Sequence, residues 1–189
     1  LEQAIDASLA RLGVERVELW QIHRPDILTH PHEVARALEK AHAAGKIAAV
    51  GVSNFTTWQT AALAEALRVP IASTQPEFSA LALDPIRSGL LDQAMMLDLA
   101  VLAWSPLAGG RLAEPTEVGT LLDAKAEEAG VSRSATALSW VMAHPARPIP
   151  IIGTQRPERI AEIPQALVPR WTRAEWYAVL QASIGERLP

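Results

Sequence analysis

The segment VELWQIHRPD, residues 17–26, alternates apolar and polar positions before it reaches a histidine and a proline. Alternation with a period of two is typical of a β-strand, and it places Leu19, Gln21 and His23 on one face. Pro25 cannot donate to a ladder of backbone hydrogen bonds, so the strand should end before it. The pattern therefore predicts a strand that delivers the imidazole of His23 to a loop at its carboxyl end.

The same patterns predict five strands that alternate with helices along the chain. The predicted strands are Val17–Ile22, Ile47–Ser53, Ile71–Gln75, Leu99–Trp104 and Ile149–Ile152. The predicted helices are a first one that Gly13 ends, one from Pro31 that Gly45 ends, one through Trp58 and Leu67, Ile86–Leu97, Thr116–Gly130, Ser134–Ala143, one with Pro157 in its first turn that Pro164 shortens, and one that starts at a capping box of Thr172 and Glu175.

Strands that alternate with helices indicate right-handed strand–helix–strand units and a parallel sheet, so the predicted fold class is α/β. The sheet is either open and doubly wound or closed into an eight-stranded (β/α)8 TIM barrel. A complete barrel needs about 250 residues. With 189 residues and five predicted strands, a barrel chain would be the C-terminal part, one partial domain over residues 1–189. A helix that starts at Leu1 without a cap leads us to expect sequence upstream.

Composition narrows the classes of partner. The formal net charge of -4 argues against a nucleic-acid surface, and no apolar run approaches the roughly 18 residues of a membrane span. The chain has no cysteine, which excludes disulfides, thiolate metal sites and cysteine nucleophiles. A small-molecule partner and a cytoplasmic location are the expectations that remain, with neither nucleic acid nor membrane as a partner.

Polar or glycine-rich segments follow the predicted strands at their carboxyl ends, where ligands bind in both architectures. They comprise His23, Ser53, Asn54, Gln75, Trp104, Ser105 and the glycines after it, and Gly153 with Thr154. Arg156 and Arg159 lie just beyond the last strand, at a helix start that could hold an anion. The chain has no GxGxxG and no P-loop motif.

Each of these residues also has a structural interpretation. Ser53 and Asn54 could be a plain helix cap, Trp104 could belong to the core, and Arg156 and Arg159 could form a solvated helix face. A group of possible metal ligands, Asp26, His30, His32 and Glu33, fits capping and solvation better, so we expect no metal site.

Four motifs, in this order and at these separations, carry a resemblance: LARLGVERVELWQIHRPD, AAGKIAAVGVSNFT, LAWSPLAGGRL and IPIIGTQRPERI. The chain resembles the C-terminal half of the aldo-keto reductase family, and most of all its bacterial members with HRPD and AWSPL. The resemblance covers almost the whole chain. It implies a (β/α)8 barrel of which the chain carries the last five strand–helix units.

The resemblance also implies an NADP(H)-dependent oxidoreductase that reduces an aldehyde or ketone by hydride transfer, with NAD(H) as the lesser alternative. His23 matches the histidine that hydrogen-bonds the substrate carbonyl. The matching cofactor residues are Ser53, Asn54 and Gln75 at the nicotinamide carboxamide, Trp104 on the nicotinamide ring, Ser105, Leu107 and Arg111 at the pyrophosphate, and Gly153, Thr154, Gln155, Arg159 and Glu162 at the adenosine and its 2′-phosphate.

Two departures from the family limit this expectation. Ile163 stands where an asparagine commonly reaches the adenine. The family's catalytic Asp, Tyr and Lys precede the segment that this chain matches, and the chain's one tyrosine, Tyr177, lies in a different motif. We therefore expect a cofactor platform and one orienting histidine without the general acid, and weak or no turnover.

Two other hypotheses remain open from the sequence. The chain could be a non-catalytic truncated barrel that binds nucleotide or a partner, or a barrel fragment without function. In either case an open barrel would leave unpaired strand edges at Val17–Ile22 and Ile149–Ile152, which invite self-association.

Overall fold

The computed structural model describes residues 1–186, in which helices alternate with parallel strands. The strands are β1 (Val17–Ile22), β2 (Ile47–Ser53), β3 (Ile71–Gln75), β4 (Ala100–Ala103) and β5 (Ile149–Pro150). The α-helices are α1 (Glu2–Leu12), α2 (Pro31–Ala43), α3 (Thr57–Ala66), α4 (Asp84–Arg87), α5 (Leu90–Met96), α6 (Glu117–Ala129), α7 (Arg133–Met142), α8 (Pro157–Glu162) and α9 (Arg173–Ile184). Ala108–Ala113 and Ile163–Leu167 are 3₁₀ helices.

The chain divides into two compact units. The first comprises Leu1–Pro76 and Ser88–Val101, and the second comprises Glu77–Arg87 and the chain from Leu102 onward. Strand β4 is shared, with two residues in each unit.

In the first unit all strand pairs are parallel, as the alternation with helices predicted. Val17 on β1 pairs with Ile47 on β2, and Ser73 on β3 pairs with Ala100 on β4. The β2–β3 register shifts between Val50 and Gly51. Parallel pairing in strand order places the carboxyl ends of β1, β2 and β3 at one edge of this sheet.

One face of this sheet is covered by helices and forms the core of the first unit. The buried residues of that core are Ile5, Leu9, Leu38, Ala41, Ile47 and Val50. Trp20 and Ile22 of β1 pack against it. Because successive side chains of a strand alternate between faces, Gln21 lies on the face opposite this core.

In the second unit Leu102 and Ala103 of β4 pair in parallel with Ile149 and Pro150 of β5. Trp140 of α7 and Trp176 of α9 stack with ring centroids 4.7 Å apart. Each indole Nε1 donates to the other residue's carbonyl oxygen, at 3.1 and 3.0 Å. These bonds satisfy both buried indole donors and tie α9 to α7.

Three predicted elements have different bounds in the structure. The predicted helix Ile86–Leu97 was wrong, because Gly89 has a φ of 72° and separates α4 from α5. Strand β4 is shorter at both ends than the predicted Leu99–Trp104. Strand β5 covers only the first two residues of the predicted Ile149–Ile152, because Pro150 has no N–H to extend the ladder.

Other signals at the helix ends were confirmed. Gly13 ends α1 with a φ of 67°. Thr172 and Glu175 form the capping box of α9, and Pro164 lies in a 3₁₀ helix that replaces the end of α8. Within residues 1–186, none of the helices has both the length and the apolar character that crossing a membrane requires.

Candidate functional site

A chain of side-chain hydrogen bonds crosses the sheet of the first unit. The hydroxyl of Ser73 donates to Gln21 Oε1 at 2.7 Å, and Gln21 Nε2 donates to Gln75 Oε1 at 2.7 Å. Ser73 is buried, and the two glutamines are half-buried. Polar side chains inside a sheet are costly unless they are paired, and here each one has a partner.

Gly51 of β2 leaves the space that this chain of hydrogen bonds occupies. A Cβ at Gly51 would lie 2.2 Å from Ser73 Oγ, 2.8 Å from Gln21 Cγ and 3.0 Å from Gln21 Oε1. The neighbours on both sides are fixed by their hydrogen bonds, so neither can yield without breaking one. Glycine is therefore required here by close approach.

Ser53 and Asn54 join the ends of all three strands. Asn54 has a φ of 60°, and its Nδ2 donates to the carbonyl of His23 and to Ser53 Oγ, both at 3.0 Å. The Asn54 backbone N–H and the Ser53 hydroxyl both donate to the carbonyl of Gln75, at 3.2 and 3.0 Å. Asparagine tolerates the left-handed conformation better than most residues, which suits it to this position.

The interpretation of Ser53 and Asn54 as a plain helix cap was wrong. The cap of α3 is Thr56, whose hydroxyl accepts from the backbone of Gln59 at 3.2 Å, while the side chain of Gln59 accepts from the backbone of Thr56 at 2.9 Å. Ser53 and Asn54 are therefore available to build the strand-end cluster. The first unit brings them together with Gln75 and the backbone of His23, and the His23 side chain is exposed.

In the second unit, the segment after β4 is shaped by its backbone. Ser105 and Ala108 have positive φ values of 48° and 52°, and Gly109 and Gly110 follow with 65° and 96°. Four residues in the left-handed region within six positions fold this segment into a tight loop, and two of them are not glycine, which is unusual.

The other predicted residues of this loop have ordinary packing partners. Leu107 packs against the cluster of Ala135, Leu138 and Ala166. Trp104 is half-buried, and its carbonyl accepts from the backbone of Phe78 at 3.2 Å. Arg111 is exposed, and its Nε donates to the carbonyl of Ala108 at 3.0 Å, so its other guanidinium nitrogens point away from that contact.

Arg133 fastens the far end of the same loop. Its Nη1 donates to the carbonyls of Leu112 and Glu114, at 3.0 and 3.4 Å, and its other nitrogens form a two-point pair with the carboxylate of Asp123. The hydrogen bonds from Arg133 lower the pKa of Asp123 below its ordinary value. This anchor is a non-local contact from the start of α7, and the sequence gave no expectation of it.

The segment after β5 presents exposed charged and polar groups. Gly153, Gln155, Arg159 and Glu162 are exposed, and Thr154 is half-buried with its hydroxyl accepting from the backbone of Arg156 at 3.3 Å. Helix α8 is only six residues long and has no side-chain cap at Arg156. The guanidinium groups of this segment can pair with an anion in solvent.

Asp26 and His30 have the local roles that their loop positions predicted. Asp26 accepts from the hydroxyl of Thr29 and from the backbone of Leu28, which lowers its pKa. His30 caps α2, where its Nδ1 accepts from the backbone of His32 at 3.2 Å. Between residues 1 and 186 there is no group of three or more His, Asp and Glu side chains arranged to hold a metal ion.

Sequence reasoning missed Gln21, Ser73 and Gly51 as members of the site. A signal for them exists, because Gln21 lies two residues before His23 and Ser73 two residues before Gln75, so each shares a strand face with a predicted site residue. Polar residues at such positions in apolar strands indicate a paired interior network. Chemically, the first unit offers neutral amides and hydroxyls, and the second offers a shaped loop and exposed guanidinium groups.

A sequence profile of the Aldo/keto reductase family matches residues 1–183. The chain is 58% identical over 194 aligned residues to 6-dehydroglucose reductase of Novosphingobium aromaticivorans, an alignment that covers 100% of this chain and 64% of that protein. The chain thus spans less than two thirds of the length of this curated relative.

Two crystal structures resemble the chain in fold. One is the thermostable aldo-keto reductase Tm1743 with the inhibitor epalrestat, at a TM-score of 0.88 and 24% identity over 95% of this chain and 65% of that one. The other is described as a 2,5-diketo-D-gluconic acid reductase B, at a TM-score of 0.84 and 28% identity over 95% of this chain and 61% of that one. The fold is accordingly the α/β, parallel-stranded TIM-barrel type of these enzymes, and the chain belongs to the aldo/keto reductase family.

Proposed function

We propose that the chain carries the NADP(H) platform of an aldo-keto reductase that reduces an aldehyde or ketone to an alcohol. The observation that supports it most is the strand-end cluster of Ser53, Asn54 and Gln75, whose members are held in place by defined hydrogen bonds. Family membership supplies the reaction class, since the chain matches the family over residues 1–183.

The residues present suit such a cofactor. Ser53, Asn54 and Gln75 carry neutral donors and acceptors for a carboxamide, and Trp104 offers an aromatic face for a flat ring. In the loop of positive φ values, Ser105, Leu107 and Arg111 are the proposed pyrophosphate residues, with the exposed Arg111 guanidinium as the cation. When bound, the reduced nicotinamide supplies the hydride.

The adenosine end is assigned to the segment after β5. Gly153, Thr154, Gln155, Arg159 and Glu162 are the proposed residues, and the exposed Arg159 guanidinium favours a 2′-phosphate, hence NADP(H) over NAD(H). Ile163 differs from the family here. It lines an apolar cleft with Leu138, Met142 and Ile152, so it contributes packing and has no amide for the adenine.

His23 is proposed to hydrogen-bond the substrate's carbonyl oxygen through its exposed imidazole. For the substrate, the names of two similar proteins, 6-dehydroglucose reductase and 2,5-diketo-D-gluconic acid reductase B, support the carbonyl group of an oxidised sugar. A cytoplasmic site of action belongs to the same proposal, and the absence of cysteine suits a reducing compartment.

The proton donor is not assigned to this chain. Tyr177 lies in α9, with its ring edge-on to Trp176 at 5.4 Å between centroids, and Lys125 is bound to Glu128 and Glu175. We propose that the chain corresponds to the last five strand–helix units of the family barrel, as one partial domain, and that it turns over a carbonyl substrate weakly or not at all by itself. This favours a second candidate, a nucleotide-binding protein without catalysis, which could self-associate through the edges of β1 and β5.

The test is a titration of the chain with NADPH and with NADH, followed by the fluorescence of its six tryptophans. We expect NADPH to bind and NADH to bind more weakly. Arg159→Gln should weaken NADPH binding about tenfold and leave NADH binding nearly unchanged, because the lost charge pair involves only the 2′-phosphate. Arg170→Gln, at an exposed arginine outside the proposed site, is the matched control.

His23→Ala should leave NADPH binding almost unchanged, because His23 is assigned to the substrate. Failure of the wild-type chain to bind NADPH would overturn the proposal. Fast reduction of a test aldehyde by the chain alone would overturn the statement that it lacks a general acid. Binding without turnover, even after the part of the Novosphingobium relative outside the alignment is supplied as a separate polypeptide, would favour the second candidate.

A further inference from the structure

The amide of Gln75 is held by its oxygen alone among the contacts described for residues 1–186. Gln75 Oε1 accepts from Gln21 Nε2 at 2.7 Å, and no hydrogen bond of Gln75 Nε2 is present in that part of the chain. Gln75 is half-buried at the end of β3, beside Ser53 and Asn54. Its amide therefore has one end fixed inside the protein and one end available to a ligand.

The orientation of the Gln21 amide decides which end of Gln75 is fixed. Ser73 is buried, and its hydroxyl donates to Gln21 Oε1 at 2.7 Å, so Gln21 presents its Nε2 to Gln75. A donor at that place can bind only the oxygen of Gln75. The hydrogen bonds thus run in one direction, from Ser73 through Gln21 to Gln75.

Packing keeps Gln21 from leaving this arrangement. The place that a side chain on Gly51 would fill is only 2.8 Å from Gln21 Cγ and 3.0 Å from Gln21 Oε1. The Gln21 side chain therefore lies flat across the backbone of β2, with Ser73 and Gln75 as its partners. Residues on β1, β2 and β3 act together, although only Gln75 belongs to the proposed cofactor site.

We propose that Gln21 is a positioning residue that turns the Nε2 donor of Gln75, and not its carbonyl, toward the nicotinamide carboxamide of NADP(H). The inference rests on the proposed function, because it takes Gln75 as a cofactor contact. Gln75 then donates to the oxygen of the carboxamide, and the carboxamide orientation follows from the hydrogen bond between Gln21 and Gln75. A glutamine without this partner would present either end to the cofactor.

The same unit offers a matched control. Gln93 is half-buried on α5, and its Nε2 donates to the carbonyl of Thr57 at 2.7 Å, a bond of the same type and length outside the strand-end cluster. A glutamine that is merely structural should affect unfolding when replaced, as Gln93→Leu should, and leave cofactor binding alone. Thermal unfolding and NADPH affinity together separate the two roles.

Gln21→Leu should weaken NADPH binding about fivefold to tenfold, since Gln75 loses its fixed orientation, while Gln93→Leu should change it by less than about twofold. Gln75→Ala should cause a loss of similar size. The double variant Gln21→Leu with Gln75→Ala should bind no worse than Gln75→Ala alone, because Gln21 acts through Gln75. Equal affinities for the Gln21→Leu and Gln93→Leu variants, or additive losses in the double variant, would overturn the inference.

Gln21→Glu tests the direction of the hydrogen bond, and it also serves if the leucine variant does not fold. A carboxylate can only accept, so it still binds the hydroxyl of Ser73 but forces Gln75 to donate Nε2 inward and turn its carbonyl outward. The probe is the reduced 3-acetylpyridine analogue of NADP, which keeps the carbonyl of the carboxamide and has a methyl group in place of its NH₂.

The wild-type chain should bind this analogue within about threefold of NADPH, because Gln75 donates to the carbonyl that both share, whereas Gln21→Glu should bind it at least about tenfold more weakly than the wild type does. The opposite order would show that Gln75 faces the cofactor with its carbonyl. A wild-type chain that binds neither nucleotide overturns the proposed function and this inference with it. A wild-type chain that binds NADPH, with Gln21→Leu and Gln21→Glu unchanged, overturns the inference alone.

Discussion

The two units hold their candidate residues by different means. In the first unit, neutral side chains on three strands bind one another, as Gln21 does with Ser73 and Gln75 at 2.7 Å. In the second, the backbone of the loop after β4 makes the shape, with positive φ at Ser105 and Ala108, and the charged groups lie at the surface. Side-chain identity should therefore matter most in the first unit, and backbone conformation and charge in the second.

A pair of glycines gives the largest contrast between the units. A methyl group at Gly51 would be 2.2 Å from Ser73 Oγ, whereas one at Gly153 would meet nothing within 4 Å. Gly51→Ala should lower the free energy of unfolding by about 2–3 kcal/mol, because it overpacks the sheet and breaks the Gln21–Ser73 hydrogen bond. Gly153→Ala should change it by less than about 0.5 kcal/mol. Urea unfolding of both variants measures the difference, and equal losses would show that the close approach at Gly51 relaxes freely.

The second effect is confined to the second unit, because it depends on charge. Lys125 is 5% exposed, and its Nζ binds Glu175 at 2.9 Å and Glu128 at 3.0 Å. Burial lowers the pKa of Lys125, but the hydrogen bonds from Glu175 and Glu128 outweigh burial and raise it. The hydrogen bond from Lys125, with those from Thr172, lowers the pKa of Glu175 from 4.5 to about 2.

A carboxyl group whose pKa is lowered by folding stabilises the folded state above its unfolded pKa, and that contribution is lost as the pH falls toward its folded pKa. Glu175→Gln should therefore cost about 1–2 kcal/mol at pH 7, a figure reduced for solvent screening because Glu175 is 36% exposed. Glutamine can still form the capping box with Thr172, so the variant isolates the charge. The difference between variant and wild type, measured by urea unfolding, should shrink between pH 4.5 and about 2. A difference that stays constant over that range would rule out the ion pair as its source.

Arg133 supplies the third effect, because it is the contact by which a side chain secures the backbone loop of the second unit. Arg133→Lys keeps the charge near Asp123 but cannot also reach the carbonyls of Leu112 and Glu114. We expect a loss of about 1 kcal/mol in unfolding free energy and faster hydrogen exchange in residues 105–114. Arg170→Lys, at an exposed arginine, is the control. Unchanged exchange in that loop would show that its φ values alone keep it in place.

The accuracy of the sequence predictions follows the range of the interactions that decide each feature. Strands β2 and β3 have the predicted bounds, because runs of apolar and β-branched residues between turn signals are local. The capping box at Thr172 is equally local, since its partner is three residues away. The helix break at Gly89 was missed because a glycine inside a helical pattern is compatible with either a continued or an interrupted helix, and packing decides between them.

The site divides in the same way. The motifs located Ser53, Asn54 and Gln75, and their mutual hydrogen bonds agree with a common strand-end cluster. Gln21 and its partner Ser73 are 52 positions apart, and no local pattern links them. Long-range pairs of this kind depend on the register between strands, which the sequence does not determine.

The smallest expected effect compares one tryptophan from each unit. Trp20 has a buried Nε1 with no hydrogen-bond partner among residues 1–186, whereas Nε1 of Trp176 donates to the carbonyl of Trp140 at 3.0 Å. Trp20→Phe removes an unpaired donor along with some apolar surface, and these effects oppose each other, so unfolding free energy should change by less than about 0.5 kcal/mol. Trp176→Phe should cost about 1 kcal/mol or more, because it leaves a carbonyl of the core without its donor. Urea unfolding of both variants under one set of conditions measures the contrast. A large loss for Trp20→Phe would mean that its indole N–H is satisfied in solution, most simply by a water molecule, and that the first unit depends on more polar contacts than its side chains provide.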